Sequence, residues 1–294
     1  MNKVDSLIVP GTFFLALLAV LAVTVSWIPR PPDQLHMKVT MGPLTVVPNH
    51  YYGLRFTPRN VLSAHTVMRM QPTQGPCLDI TITDTTLTYL DRTTACRYRD
   101  AHGREDGSYK ARYSFPGEDD YVVFVEVRAI DDPNTFYRIP LPLDRCALRY
   151  GRDHGCPTRS ANLRGQEATR SQDLDGLTVV LGAPAHTVTT GAPITISLVF
   201  LRHNRPVLDL EPIGRSPGDA VAVSMDTSHF VHLRPDARQI AHGHIADGAL
   251  SFTGQFDQPS IYRVFATVGY HRRLLHTSFV VDVNPAPTPT PVAP

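Results

Sequence analysis

The chain is 294 residues long and carries 28 Lys and Arg against 27 Asp and Glu, a formal net charge of +1. That balance excludes the basic excess on which nucleic-acid binders depend, and an apolar content of 42% excludes a disordered chain. Twenty-six prolines argue against a mostly helical protein, because proline removes a backbone donor and interrupts helices.

The first feature in chain order is an uncharged apolar run, Leu7 to Ile28. At 1.5 Å per residue it rises about 33 Å, enough to cross the hydrocarbon core of a bilayer. Trp27 at its far end suits the membrane interface. Residues 1–30 therefore read as a cytoplasmic stub and one uncleaved transmembrane anchor. A cleaved signal peptide is the competing reading. Against it stand the length of the run, an N-terminal region with only Lys3 against Asp5, and the lack of a small-x-small site before Pro29. Gly11, Ala19 and Ala22 fall near one helical face, where small residues let a neighbouring helix approach; otherwise they meet lipid.

The four cysteines, Cys77, Cys96, Cys146 and Cys156, form no CxxC, so zinc-ribbon, thioredoxin-like and haem c motifs are missing. An even count at wide spacing suits two local disulfides in an oxidising compartment. Proximity favours Cys77–Cys96 and Cys146–Cys156. Two other connectivities, and four free buried thiols, remain open.

After the anchor the pattern is of short strands. Runs such as Ile194–Phe200, Ala220–Val223 and Phe279–Val283 are rich in β-branched residues, and Gly, Pro, Asn and Asp punctuate them at short intervals. An internal repeat aligns residues 106–127 with 247–268 without a gap, matching Asp106/Asp247, Gly107/Gly248, Phe115/Phe256, Tyr121/Tyr262, Phe124/Phe265 and Val127/Val268. Cys77–Ile80 matches Val207–Leu210 more loosely. Asp-Gly turns into a strand, Phe ends it facing the core, and after a Pro-containing turn Tyr opens the next strand, whose alternate residues point inward. That Tyr resembles the tyrosine corner of immunoglobulin-like sandwiches. The expected fold is all-β: two tandem immunoglobulin-like β-sandwiches, 36–143 and 174–283, preceded by one N-terminal transmembrane helix.

Residues 144–173 form an Arg-rich linker with six arginines, among them Arg145, Arg149 and Arg152. It reads either as a solvated linker or as a contact for lipid headgroups or an acidic partner. The tail, 284–294, has five prolines, including Pro287, Pro289 and Pro291, and is expected to be extended, a disordered end alone or a strap against a partner.

Residues 177–283 resemble the YtkA-like family of bacterial periplasmic immunoglobulin-like domains, often associated with copper. The resemblance runs through Leu208–Pro212, Gly218–Ser224, Phe230–Pro235, Phe256 and Tyr262–Phe265. It implies an immunoglobulin-like fold and a periplasmic body on a bacterial inner membrane. Such domains carry Gly-His where this chain has Gly218-Asp219, and His-x-His-Pro where it has His232-Leu-Arg234-Pro235. Arg cannot ligate a metal and repels a cation, so no metal site and no cofactor are expected. The residues that could still gather around copper are Met225, His229, His232, His242 and His244.

No GxSxG, HExxH, Walker A or GxGxxG occurs. Asp173-Leu-Asp175-Gly176 lacks the third ligand and distal Glu of a calcium loop. The reading is of a non-enzyme: a membrane-anchored periplasmic scaffold or accessory subunit of a larger inner-membrane complex, respiratory or photosynthetic. Its partners would be other membrane subunits and, through the N-terminal helix, the bilayer. A periplasmic copper-handling or metal-sensing module and an envelope receptor for carbohydrate or peptide are the alternatives.

Overall fold

The computed structural model describes residues 35–42, 50–60, 71–72, 76–128, 136–143, 160–163, 171–174, 176–182, 188–214, 216–236, 239–241, 244–245 and 248–287. The expected anchor, the Cys146–Cys156 pair and Arg145, Arg149 and Arg152 lie outside them. Among the described residues no helix is long and apolar enough to cross a membrane. The described chain is all-β.

The first unit contains β1 (Leu35–Gly42), β2 (Tyr51–Asn60), β3 (Gln71–Pro72), β4 (Cys77–Asp84), β5 (Leu90–Arg99), β6 (Glu105–Ser114), β7 (Asp120–Arg128) and β8 (Phe136–Pro142). The second contains β9 (Ser171–Leu174), β10 (Leu177–Gly182), β11 (Pro193–Arg202), β12 (Arg205–Pro206), β13 (Leu210–Glu211), β14 (Asp219–Ser224), β15 (Phe230–Pro235), β16 (Ile240–Ala241), β17 (His244–Ile245), β18 (Ala249–Gln255), β19 (Ser260–Tyr270) and β20 (Arg273–Val283). β9, which pairs with β10, begins inside the segment read as linker and ends at Leu174, where the second sandwich is expected to start.

The two units share one strand order. The first runs β1-β2-β6-β5-β4-β7-β8 and the second β10-β11-β18-β15-β14-β19-β20, antiparallel throughout. In each, one strand joins two layers: β5 pairs with β4 along most of its length and with β6 at its end, and β15 pairs with β14 and then β18. The layers close as a sandwich over one core. In the first, Leu54, Phe56, Tyr109 and Tyr113 meet Leu78, Ile80, Tyr121 and Val123. In the second, Ile196, Phe200 and Phe252 meet Ala222, Tyr262 and Val264.

The repeat has direct structural counterparts. Tyr121 donates to the Gly117 carbonyl at 3.0 Å, and Tyr262 to the Gln258 carbonyl at 2.9 Å. Each ring lies against the Phe that ends the preceding strand, with centroids 4.9 Å apart for Phe115–Tyr121 and 4.7 Å for Phe256–Tyr262. Gly107 and Gly248 both hold a left-handed backbone, the conformation for which glycine is required at the turn. The looser match is corrected. Asp84 pairs with Tyr121 and Ser224 with Tyr262, so the counterpart of β4 is β14, not Val207–Leu210. Leu210 sits in β13, which pairs with the end of β19 as β3 pairs with the end of β7.

Cys77 and Cys96 are directly opposite on β4 and β5 and form a disulfide, Cα atoms 4.0 Å apart. The tail begins in order. The Asn284 amide donates to the Val188 carbonyl at 2.8 Å and the Ala286 amide to Thr190 Oγ1 at 3.0 Å, so its first residues lie on the second unit without any partner chain.

The inward alternation holds, and the structure adds to it. Alternate residues of β7 and β14 do point into their own cores, but the intervening ones are buried too. Tyr121 to Glu126, and Ala220 to Ser224, are continuously buried. Val122, Phe124, Val221 and Val223 face the other unit instead of solvent.

Candidate functional site at the interface between the units

The units pack through the faces of β7 and β4 on one side and β14 and β15 on the other. Phe124 stacks on Phe230 with centroids 4.9 Å apart and planes 22° from parallel, and Phe136 closes on Phe230 at 5.5 Å. Leu87, Val122, Val221, Val223 and Val280 complete the apolar patch. Ala161 and Leu163, from the segment read as a solvated linker, are buried in it, and the Ala161 amide donates to the Thr85 carbonyl at 2.9 Å. This part of the linker is structural because its side chains are apolar and the two sheets leave a seam for them.

Two arginines cross the seam. Arg138 on β8 donates to the Thr227 carbonyl at 2.5 Å and to its Oγ1 at 2.9 Å. Arg263 on β19 donates to the Leu87 carbonyl at 2.8 Å. The two accepting residues occupy corresponding turns, β4–β5 and β14–β15. Both have positive φ, 55° at Leu87 and 57° at Thr227, a conformation uncommon for any non-glycine residue and rarer still for the β-branched Thr227. The arginines anchor the two most unusual backbone positions of the interface.

Beside the apolar patch four charged side chains close a ring. Arg92 on β5 donates through Nη2 to Glu126 Oε1 at 2.9 Å and through Nη1 to Asp219 Oδ2. His232 on β15 meets Glu126 Oε2 through Nδ1 at 2.7 Å and Asp219 Oδ1 through Nε2 at 3.1 Å. Each unit contributes one cation and one anion. The two cations are structural counterparts: Arg92 stands opposite Thr81 in the β4–β5 pair, and His232 opposite Val221 in β14–β15.

The electrostatics follow from this geometry. Burial alone disfavours a charged His232, but its hydrogen bonds to Asp219 and Glu126 outweigh that cost and raise its pKa to about 9. Burial likewise disfavours ionised Asp219, yet the His232 hydrogen bond and the Arg92 charge hold its pKa at about 2. Arg92 is pushed up despite burial by Asp219 and Glu126. At neutral pH the ring holds two cations and two anions, so the desolvation of each is met by an opposite charge.

An imidazolium that donates from both nitrogens has no lone pair with which to ligate a metal or take a proton. Of the three positions at which the resemblance places histidines, Asp219 and His232 do come together, but as half of an ion ring that also requires Arg92. Arg234 is exposed and pairs across to Thr253. Met225 packs against the interface cluster, and the His229 amide donates to Ser224 Oγ at 2.9 Å. The side chains of His242 and His244 lie outside the described residues. Among the described residues no group of three or more His, Cys, Asp or Glu is placed to hold a metal ion. Pro287 is exposed, and Pro289 and Pro291 lie outside the described residues.

Sequence reasoning reached Asp219 and His232 but not Arg92, Glu126, Arg138 or Arg263. A local signal existed. Val122–Val125 and Ala220–Val223 are unbroken apolar runs, the mark of a strand covered on both faces.

A family profile described as "Domain of unknown function (DUF8832)" matches residues 171–285, from β9 to just past β20. No curated protein matches the chain. Among solved structures the chain is similar to FdeC, an adhesin of Escherichia coli, at 12% identity and a TM-score of 0.24, covering 85% of this chain and 66% of that one. It is also similar to invasin, a bacterial integrin-binding protein, at 12% identity and a TM-score of 0.25, covering 87% and 40%. Domains 4 and 5 of the S-layer protein SbsC match at 10% identity and a TM-score of 0.23, covering 85% and 98%. The chain thus spans about two thirds of FdeC and less than half of invasin.

Proposed function

We propose that this chain is a non-catalytic scaffold or accessory subunit. In this reading, two immunoglobulin-like sandwiches are held at a fixed angle and carried by one N-terminal helix on a bacterial inner membrane. The body stands in the periplasm and stabilises or assembles a larger membrane complex. The observation that carries the reading is the ring of Arg92, Glu126, Asp219 and His232. The half-buried charges that a cleft would present to a substrate are here closed on one another across the seam. A scaffold transmits position, and position requires that its two units not swing. The Cys77–Cys96 disulfide supports an oxidising compartment for the body.

The test is mild detergent extraction from the native membrane followed by affinity purification. The reading expects a chain that resists alkaline carbonate and co-elutes with integral membrane subunits in fixed proportion. A monodisperse monomer from the same gentle extraction defeats it.

A further inference from the structure

The outer layer of the first unit bears a second arrangement of charge, remote from the seam. β1, β2, β6 and β5 lie side by side, and their register sets Thr40, Arg55, Lys110 and Cys96 in one row across four strands. The next row holds Gly42, Gly53 and Arg112, and Lys38 and Tyr51 flank the two rows. These side chains point away from the core, because Met37, Leu54, Phe56, Tyr109, Ala111 and Tyr113 alternate with them.

Aromatic rings interleave the cations. Lys110 Nζ stands 3.3 Å from the Tyr98 ring centroid with the Arg55 guanidinium 5.8 Å from the same ring, and Arg112 lies 4.4 Å from the Tyr51 ring. Tyr51 is 61% exposed, the largest aromatic exposure among the described hydrophobics. Among the described residues the carboxylate on this face is Asp106, bonded to Arg55. Four cations against one carboxylate give a local charge of +3 on a chain whose net charge is +1. Arg55 and Lys110 are cross-strand partners, and like charges in that relation destabilise a sheet. Asp106 offsets the charge of Arg55, and the Tyr98 ring receives Lys110.

The surface is open at its centre. A Cβ built on Gly42 or Gly53 would meet nothing within 4 Å, and the rows run over an open sheet. Positive charge spread over several strands fits a plane of phosphates better than a single chain that must be gripped. Exposed tyrosine suits a bilayer interface, where its ring and hydroxyl face different media. β1 begins only a few residues after the apolar run ends at Ile28, a span of at most about 25 Å of extended chain.

We propose that this face docks on the anionic phospholipid headgroups of the membrane that holds the anchor. The inference rests on the anchored reading above. It gives the first unit a second contact with the bilayer and thereby fixes the tilt of the whole body.

The assay uses an accident of composition: Lys3, Lys38 and Lys110 are the chain's three lysines, and two of them are on this face. The full chain is reconstituted into nanodiscs of phosphatidylcholine alone or of phosphatidylcholine with phosphatidylglycerol. It is then footprinted with a membrane-impermeant amine reagent and read by mass spectrometry. Lys38 and Lys110 should react at least about fivefold more slowly in the anionic discs, the weight of about one cation at an anionic surface. The protection should vanish in high salt. The Arg112→Glu variant, exposed and outside the core, should lose protection at Lys38 while keeping the Cys77–Cys96 disulfide. Carbonate resistance of the same sample reports the anchor separately. A resident chain with equal labelling in both discs overturns the docking face and leaves the anchor standing. A chain stripped by carbonate overturns the anchor instead. Protection by a soluble polyanionic polysaccharide but not by phosphatidylglycerol also overturns the bilayer proposal.

Discussion

Removing the imidazole of His232 tests the ion ring most directly. With its pKa raised from 6.5 to about 9, protonated His232 is held by about 3 kcal/mol at 1.36 kcal/mol per decade. Its side chain is 32% exposed, so solvent screening reduces the working figure to about 2 kcal/mol. Because the folded-state pKa lies above the unfolded one, this stability is complete below about pH 6.5 and is lost as pH rises through about 9. Asp219 behaves oppositely. Its folded pKa of about 2 lies below the ordinary 3.8, so its contribution is complete above about pH 4 and is lost as pH falls through about 2. The ring is therefore at full strength between about pH 4 and pH 6.5. Urea denaturation of the purified full chain across pH 6 to 9 should show wild-type stability falling by about 2 kcal/mol. His232→Ala should be less stable at pH 6 and should lose most of that slope. Parallel pH profiles for the two proteins would refute the assignment of His232 as the charged bridge.

Phe124→Ala empties the space beneath Phe230 and Phe136 and should cost about 3 kcal/mol. Because Phe124 faces the seam, the loss should appear as a wider separation of the units in small-angle scattering, and unchanged scattering would count against it. Cys77→Ser opens a loop with a sequence separation of 19 and should cost about 3 kcal/mol by denaturation under oxidising conditions. Equal stability of the variant and wild type would show that the pair adds nothing. Copper titration of the body, followed by calorimetry, should give at most weak binding that His232→Ala leaves unchanged, since both ring nitrogens are engaged by carboxylates. A tight one-to-one site lost in that variant would return the copper reading.

What was legible in the sequence was what repeats or lies close along the chain. Tyr121 and Tyr262 each follow an Asp-Gly and a Phe at the same spacing, so their shared corner could be read by aligning the chain with itself. Cys77 and Cys96 are close enough along the chain that proximity alone suggested their partnership. The seam is different. Arg92 meets Asp219, and Glu126 meets His232, across more than a hundred residues, and each is an ordinary charged residue on an ordinary strand. Only the unbroken apolar runs betrayed that β7 and β14 had something on both faces, and they did not say what. Thr227 shows the limit further: neither its type nor its neighbours mark a left-handed turn, which is held there by Arg138 from the other unit.

The seam also has a consequence for assembly. It covers one sheet of each unit with the other, so neither of these two sheets is left open to a second chain. Such a contact satisfies both halves at once and leaves no copy of itself open. Growth into a filament through this surface is thus barred because the surface is already covered. Tethering also makes the contact insensitive to dilution, since each half meets its mate at an effective concentration set by the connecting chain. A partner of the proposed kind would therefore be met on other faces, with both units presented together.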